Sequence, residues 1–235
     1  MKSDKSTSRI IGIVLLAQLA AALMLPFIIL RPRIIGFPDF ITAAAENSFQ
    51  VRSAVFIAVI GSALTITLGV LMLPVLRRSS ETLAFWFLSA CLVSCVIDLV
   101  HCASVMSMLS LSQGYVSAGA TNQAAYETIG ATVASTRRWA HVAQLLAIGG
   151  WIFIFYGSLL RFNLIPRALA SLGVIGIALQ FTGVTLMMFL GLSVIGQLAM
   201  PLLPIHLTTA GWLIVKGFRS TEDAAISQTL LTAKA

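Results

Sequence analysis

Charged residues are scarce in this sequence. Asp, Glu, Lys and Arg together make up 10% of its 235 residues, whereas typical soluble domains contain about 25%. Hydrophobic residues account for 58%, and the mean hydropathy is +0.97. This balance excludes a soluble protein with a large core and indicates a polytopic membrane protein.

Several motifs that would indicate an enzyme are missing. The sequence has no H-E-x-x-H zinc motif, no paired catalytic carboxylates and no nucleophile elbow. Its three cysteines lie in one apolar stretch without C-x-x-C spacing, which argues against a disulfide framework and against a cysteine-based zinc or redox motif. The net charge of +7 comes without a basic run, so no nucleic-acid partner is expected. Whether the protein is an enzyme stays open.

Six apolar segments are each long enough to cross a membrane as a helix, which takes about 20 residues. The sequence therefore predicts an all-α fold: a polytopic membrane helix bundle with six transmembrane helices, in a single domain over residues 1–235. The start of the first segment resembles a secretory signal, but its apolar run exceeds the roughly 7–15 residues of a signal core, so an uncleaved helix is expected. The predicted spans are 10–30, 52–76, 83–109, 139–160, 168–190 and 197–218.

Positive charges flank the apolar segments unevenly. With the N-terminus inside, ten of the 15 Lys and Arg residues fall on the inner side and five on the outer side. Cytoplasmic connections are enriched in Lys and Arg. Both termini are therefore expected in the cytoplasm, and the protein in a bacterial cytoplasmic (inner) membrane. The outer residues are Arg31, Arg33, Arg52, Arg137 and Arg138.

Both long connections fall on the predicted outer side. Residues 31–51 include a predicted short helix that Asp39 would cap. Residues 110–138 include a polar stretch, capped by Thr121, that is expected to form a helix leading into the fourth span. Within the second span, Gly61, Thr65 and Gly69 put small side chains on one face, a spacing typical of packing inside a bundle and also of a homo-oligomer.

Five segments spread along the chain resemble one family. They are residues 9–16 (RIIGIVLL), 73–78 (LPVLRR), 111–120 (LSQGYVSAGA), 164–167 (LIPR) and 211–218 (GWLIVKGF). The chain is similar in these segments to the bacterial domain of unknown function 4386 family of six-helix integral membrane proteins. The resemblance implies the fold and the topology but no activity. Members commonly carry Arg and Glu early in span three and Glu in the last span, where this chain has Cys91, Ser94 and His206.

Ionisable side chains inside apolar spans are the strongest signal for function, because such a group is costly in hydrocarbon and marks a functional site by default. Asp98 and His101 are three residues apart on one helical face of span three. His101 and His206 lie about 12 and 14 Å from the outer ends of their spans, at a rise of 1.5 Å per residue. His141 lies near the outer start of span four. All three histidines are therefore expected in the outer leaflet.

Two kinds of cofactor suit these residues. Haem b would be held by His101 and His206, and Arg137 and Arg138 would pair with its propionates at the outer mouth. A non-haem metal such as zinc, iron or copper would use the histidines together with Asp98, which is also placed to accept an imidazole N–H. The predicted metal ligands are His101, His206, His141 and Asp98.

Other interpretations of the same residues stay open. If Asp98 hydrogen-bonds neighbouring Ser and Thr side chains and His141 lies at the membrane interface, neither residue needs a ligand. His206 needs none either if its ring hydrogen-bonds a backbone carbonyl that is left without a partner near Pro201 and Pro204. These prolines also favour a broken helix, which marks substrate sites in transporters and so fits a small-solute or proton transporter. An accessory subunit that contacts the lipid bilayer and a membrane-complex partner fits the same composition.

Overall fold

The protein is described by a computed structural model. It describes residues 2–25, 29–30, 32–119 and 123–219. Within these ranges the chain forms nine α-helices and no strand, as the sequence predicts. The helices are α1 (Lys2–Met24), α2 (Pro32–Ile35), α3 (Phe40–Glu46), α4 (Ser48–Arg77), α5 (Glu81–Ala118), α6 (Gln123–Arg161), α7 (Arg167–Leu190), α8 (Ile195–Ala199) and α9 (Leu202–Val215).

Six membrane spans can be drawn from the described helices by length and apolar composition. Five of them lie in α1, α4, α5, α6 and α7, and the sixth combines α8 and α9 over Ile195–Val215. The predicted fold, an all-α bundle with six membrane-spanning helices, is confirmed.

Helices α5 and α6 are longer than the spans predicted for them. They contain 38 and 39 residues, so each is close to 60 Å long at about 1.5 Å per residue, roughly twice the thickness of the hydrocarbon layer. The segments 83–109 and 139–160 are parts of these helices, which contain no proline that would end them. The polar stretch before span four is helical as expected, while its proposed cap, Thr121, lies outside the described residues.

The predicted short helix in the first long connection is present as α3, but the predicted cap is wrong. An N-cap side chain normally reaches the first turn from an extended backbone conformation. Asp39 instead has helical dihedral angles (φ −57°, ψ −32°) and makes no side-chain cap hydrogen bond. Its carbonyl oxygen accepts from the backbone N–H of Ala43. The backbone carbonyl of Asp39 therefore accepts a hydrogen bond from the first turn, and its carboxylate does not.

The sixth span is interrupted near its start. Helix α8 ends at Ala199 and α9 begins at Leu202, so the break falls at Met200 and Pro201, as the prolines predict. Proline has no N–H to continue a helical hydrogen-bond ladder. The preceding helix, α7, ends at Leu190 and is followed by Gly191, whose left-handed conformation (φ 69°) is the usual C-terminal stop.

The chain divides into two compact units. Unit 1 comprises Met1–Leu16, Thr67–Cys91 and Gly149–Ala235, and unit 2 comprises Ala17–Ile66 and Leu92–Ile148. Helices α1, α4, α5 and α6 each contribute residues to both units. The single domain expected from the sequence stays a prediction.

The core of unit 1 is built on close contacts at glycines of α7. A Cβ atom at Gly173 would lie 2.1 Å from Cδ1 of the fully buried Tyr156, so a side chain at this position has no space. A Cβ atom at Gly183 would lie 3.0 Å from Cα of Ile195, which brings α8 close to α7. Other fully buried side chains of this unit are Ile11, Phe87, Phe155, Leu159, Ile165 and Ile177.

In unit 2, the connection that contains α2 and α3 packs against α5. One cluster of buried side chains joins Ile34 and Ala44 to Val105 and Leu109, and the backbone N–H of Ala45 donates to Ser112 Oγ at 2.8 Å. A second cluster joins Phe40 and Ile41 to Met108. This connection is therefore a folded part of the unit and not a loose loop.

The small-residue face of α4 is used inside the chain. In unit 2, Gln18 Nε2 donates to Thr65 Oγ1 at 2.6 Å. A Cβ atom at Gly61 would have the Cβ of Ala21 as its nearest neighbour, at 3.9 Å. In unit 1, Gly69 lies against Cys91, with 3.2 Å between the two Cβ positions. This spacing therefore serves packing within each unit.

Candidate functional site

Unit 2 contains a group of polar side chains on three helices, which we call the Asp98 cluster. Asp98 and His101 share one face of α5, and His141 and Gln144 share one face of α6, because each pair is three residues apart. Helix α4 adds the buried Ser62. The Asp98 cluster consists of Ser62, Asp98, His101, His141 and Gln144.

Asp98 is the centre of this cluster. Its Oδ2 accepts a hydrogen bond from Ser62 Oγ, and its Oδ1 accepts one from Gln144 Nε2. Asp98 therefore has polar protein partners, as expected for an ionisable side chain within a membrane helix. Neither of these bonds goes to His101, so the carboxylate does not orient that imidazole directly.

Gln144 connects Asp98 to His141. Since the Gln144 amide nitrogen donates to Asp98, its oxygen, Oε1, faces Nδ1 of His141 at 2.8 Å. An amide oxygen only accepts hydrogen bonds. Nδ1 of His141 must therefore carry the proton, and in the neutral ring the lone pair is on Nε2. The side chain of His141 as a whole is exposed.

His101 lies beside His141 with an unused nitrogen. The two ring centres are 5.1 Å apart and the ring planes are inclined by 38°. Nε2 of His101 is buried and has no hydrogen-bond partner among the described residues. The structure thus places two imidazole rings side by side, and Nε2 of His101 has no hydrogen bond within the described residues.

Arg137 is also part of this region. It precedes His141 by four residues, so the two side chains share one face of α6. Its Nε is buried without a hydrogen-bond partner in the described part of the chain. Arg138, the next residue, is exposed. Of the two arginines predicted to bind an anionic group, Arg137 is thus the one with a buried nitrogen that lacks an acceptor there.

His206 belongs to a different set of contacts, in unit 1. Its Nδ1 is 3.1 Å from the Tyr156 hydroxyl, which donates to Thr209 Oγ1 at 3.2 Å. The ring also hydrogen-bonds with the backbone of Leu202, one turn earlier in α9. Because His206 and His101 belong to different units, their predicted convergence on one ligand stays a prediction.

The described residues hold no group of three or more His, Cys, Asp or Glu side chains arranged around one metal position. The histidine pair is therefore the ligand set that unit 2 itself offers. Imidazoles bind metals through bonds of about 2 Å, so two rings on opposite sides of one ion would have centres about 6 Å apart. The observed 5.1 Å is shorter and corresponds to a bent arrangement around an ion.

Four residues of these sites were not singled out from the sequence: Ser62, Gln144, Tyr156 and Thr209. Gln144 orients His141, and Tyr156 contacts His206. Gln144 was detectable in principle, because it is a polar residue inside an apolar span and lies one turn after His141. Tyr156 gave no such signal, since its partner lies 50 residues away in the sequence.

Comparison with known proteins gives a family but no activity. A family model described as Domain of unknown function (DUF4386) matches residues 10–217. The match includes the whole Asp98 cluster together with Tyr156 and His206. No curated protein and no solved structure matches the chain.

Proposed function

Because the chain belongs to the family described as Domain of unknown function (DUF4386), a description that names no activity, we propose its function from the Asp98 cluster. The protein is a multi-pass membrane protein whose apolar helices contact the lipid bilayer. We propose that it binds a transition-metal ion between His101 and His141. The observation that carries this proposal is the 5.1 Å separation of the two imidazole rings, together with Nε2 of His101, which has no hydrogen-bond partner among the described residues.

The hydrogen bonds around His141 support this function. Histidines that bind metals usually donate their second N–H to an acceptor, which fixes the ring and makes it a better ligand. Here Gln144 Oε1 is that acceptor, and Asp98 holds Gln144 in place. Neutral imidazoles suit zinc, copper and iron. Asp98 therefore orients a ligand from a distance and does not bind the ion itself.

Haem b is the other cofactor that the sequence leaves open. His101 and His206 would be its axial ligands, and Arg137 and Arg138 would pair with its propionates. The pair of His101 and His141 does not suit this role, because axial imidazoles on opposite sides of the iron would need ring centres about 6 Å apart. A haem would thus be bound by His101 and His206, whereas a non-haem metal would be bound by His101 and His141.

The test is to purify the protein in detergent, record its absorption spectrum and measure its metal content. We expect stoichiometric metal without a Soret band. His101→Ala and His141→Ala should each weaken metal binding by more than about 100-fold, because each removes one of two protein ligands. Gln144→Leu should weaken it by about 10–100-fold, the usual effect of losing an orienting partner.

The substitution His206→Ala distinguishes the non-haem metal proposal from the haem proposal. Full metal binding in His206→Ala supports the histidine pair of unit 2, whereas a Soret band that this substitution removes supports haem. Thermal unfolding of each variant shows whether the fold is retained. The absence of both metal and haem, even after incubation with Zn²⁺, Cu⁺ or haem, would contradict the proposal.

Transport of a small solute or of protons is the second candidate. It is favoured by the break between α8 and α9 at Met200 and Pro201, since interrupted helices form substrate sites in transporters. A proton path along the Asp98 cluster is disfavoured because it would pass through Gln144, whose amide does not titrate. A purified protein without metal or haem would favour transport, or an accessory role with a partner or as a homo-oligomer.

We further propose that both termini are cytoplasmic in a bacterial inner membrane, on the basis of the ten-to-five charge bias. Reporter fusions at Ser80 and Ala235 should then be active on the cytoplasmic side, and a fusion at Thr121 on the periplasmic side. Both reporter types, one active inside and one active outside, should be fused at each position. A cytoplasmic signal at Thr121 would contradict this topology.

A further inference from the structure

The side chain of Arg137 is half-buried and has no ion-pair partner among the described residues. Among the described residues an ion pair joins Arg77 to Glu81. The carboxylate of Asp98 accepts hydrogen bonds from Ser62 and Gln144. The Arg137 Nε–H has no acceptor within the described chain. A buried charged donor in this state is costly unless another group satisfies it.

The proposed metal site at His101 and His141 lacks ligands, just as Arg137 lacks an acceptor. Two imidazoles fill two of the four positions around a tetrahedral ion such as zinc, and the described residues provide no third His, Cys, Asp or Glu ligand. Arg137 precedes His141 by four residues in α6, so the two side chains share one helix face. By itself, its positive charge would repel a metal ion at this position.

We propose that a carboxylate or phosphate oxyanion binds between the metal and Arg137. One oxygen of the anion fills an open position on the ion held by His101 and His141, and another accepts the Nε–H of Arg137. Guanidinium groups match the geometry of both anions. The inference rests on the proposed metal site and adds its ligand class: a carboxylate-bearing or phosphate-bearing small molecule, or the phosphate of a lipid headgroup.

The test uses Co²⁺, whose absorption spectrum depends on its ligands, with the full-length protein in a sugar-based detergent that contains no phosphate or carboxylate. Co²⁺ is titrated without an anion and then with acetate or inorganic phosphate. One charge-assisted hydrogen bond gives about tenfold or more in affinity, so either anion should tighten Co²⁺ binding by that factor. Because the coupling is reciprocal, Co²⁺ should tighten anion binding equally.

Arg137→Gln is the variant that tests the anion contact. In Arg137→Gln the ratio of Co²⁺ affinities with and without anion should fall to about one, whereas Arg161→Gln, at the far end of the same helix, should keep the wild-type ratio. Adding phosphatidylglycerol in place of inorganic anions distinguishes the source. A response to the lipid alone assigns a headgroup, and a response to acetate or phosphate assigns a free anion.

The outcomes separate this inference from the proposed function. If Co²⁺ does not bind under any of these conditions, the metal site fails and the inference fails with it. If Co²⁺ binds but acetate, phosphate and the lipid leave its affinity and spectrum unchanged, the inference alone is overturned. An equal anion response in Arg137→Gln and the wild type also overturns it, since the anion would then bind the metal without Arg137.

Discussion

Replacing Gly173 with alanine is expected to destabilise the protein by about 3 kcal/mol, at the upper end of typical overpacking effects. The added Cβ would lie 2.1 Å from Cδ1 and 2.3 Å from Cγ of Tyr156. The Tyr156 ring cannot easily move away, because it is fully buried and its hydroxyl contacts His206 and Thr209. Thermal unfolding in detergent, followed by circular dichroism, should show a midpoint about 6–12 °C lower.

Gly157→Ala provides the matched control. Gly157 lies in α6 next to Tyr156, and a Cβ atom at this position would have nothing within 4 Å. Alanine favours a helix over glycine by about 1 kcal/mol, so this variant should be at least as stable as the wild type. Equal midpoints for Gly173→Ala and Gly157→Ala would show that the ring does not pack on Gly173.

Replacing Asp98 with leucine should have the second large effect, on stability and on the site together. Leucine removes the acceptor for Ser62 and for Gln144. Each buried donor left without a partner costs about 1–3 kcal/mol. Without Asp98, Gln144 is no longer held with its oxygen toward His141. We expect a lower unfolding midpoint and, in the same protein sample, weaker metal binding.

Asp98→Asn separates the charge of Asp98 from its hydrogen bonds. Asparagine has nearly the same shape and keeps one oxygen as an acceptor for Gln144, so its unfolding midpoint should lie between those of the wild type and Asp98→Leu. Wild-type stability and metal binding in Asp98→Leu would mean that Asp98 does not organise this cluster.

The membrane fold was predictable because hydrocarbon leaves few choices to a chain. An apolar segment of about 20 residues satisfies its backbone in lipid as a helix, and within the described residues each of the six segments contributes a helical stretch long and apolar enough to cross a membrane. The ends of α5 and α6 were not predictable in the same way, since hydropathy marks where hydrocarbon ends and not where a helix ends. The cap at Asp39 failed for a local reason: that residue is already helical.

Some residues of the Asp98 cluster stand out in the sequence, but their connections do not. The helical repeat places Asp98 and His101 on one face, and the depth estimate puts His141 in the same leaflet. Which helix faces which depends on how the helices rotate and pack, and spacing along one helix contains no information about that. For this reason the bond from Asp98 to Gln144, 46 residues away, emerges only from the structure.

The hydroxyl groups along α5 and α6 have a consequence for the membranes that the protein can occupy. Four serines of α5 and three threonines of α6 donate to the carbonyl oxygen four residues earlier in their own helix. These groups therefore need neither water nor headgroups as partners. A thicker bilayer can therefore cover the turn of α5 that follows Leu109 without leaving the Ser110 hydroxyl unbonded. On α6 the turn before Trp139 contains Arg137 and Arg138, which are costly in hydrocarbon. Helix α5 can thus adapt to hydrophobic mismatch more easily than α6.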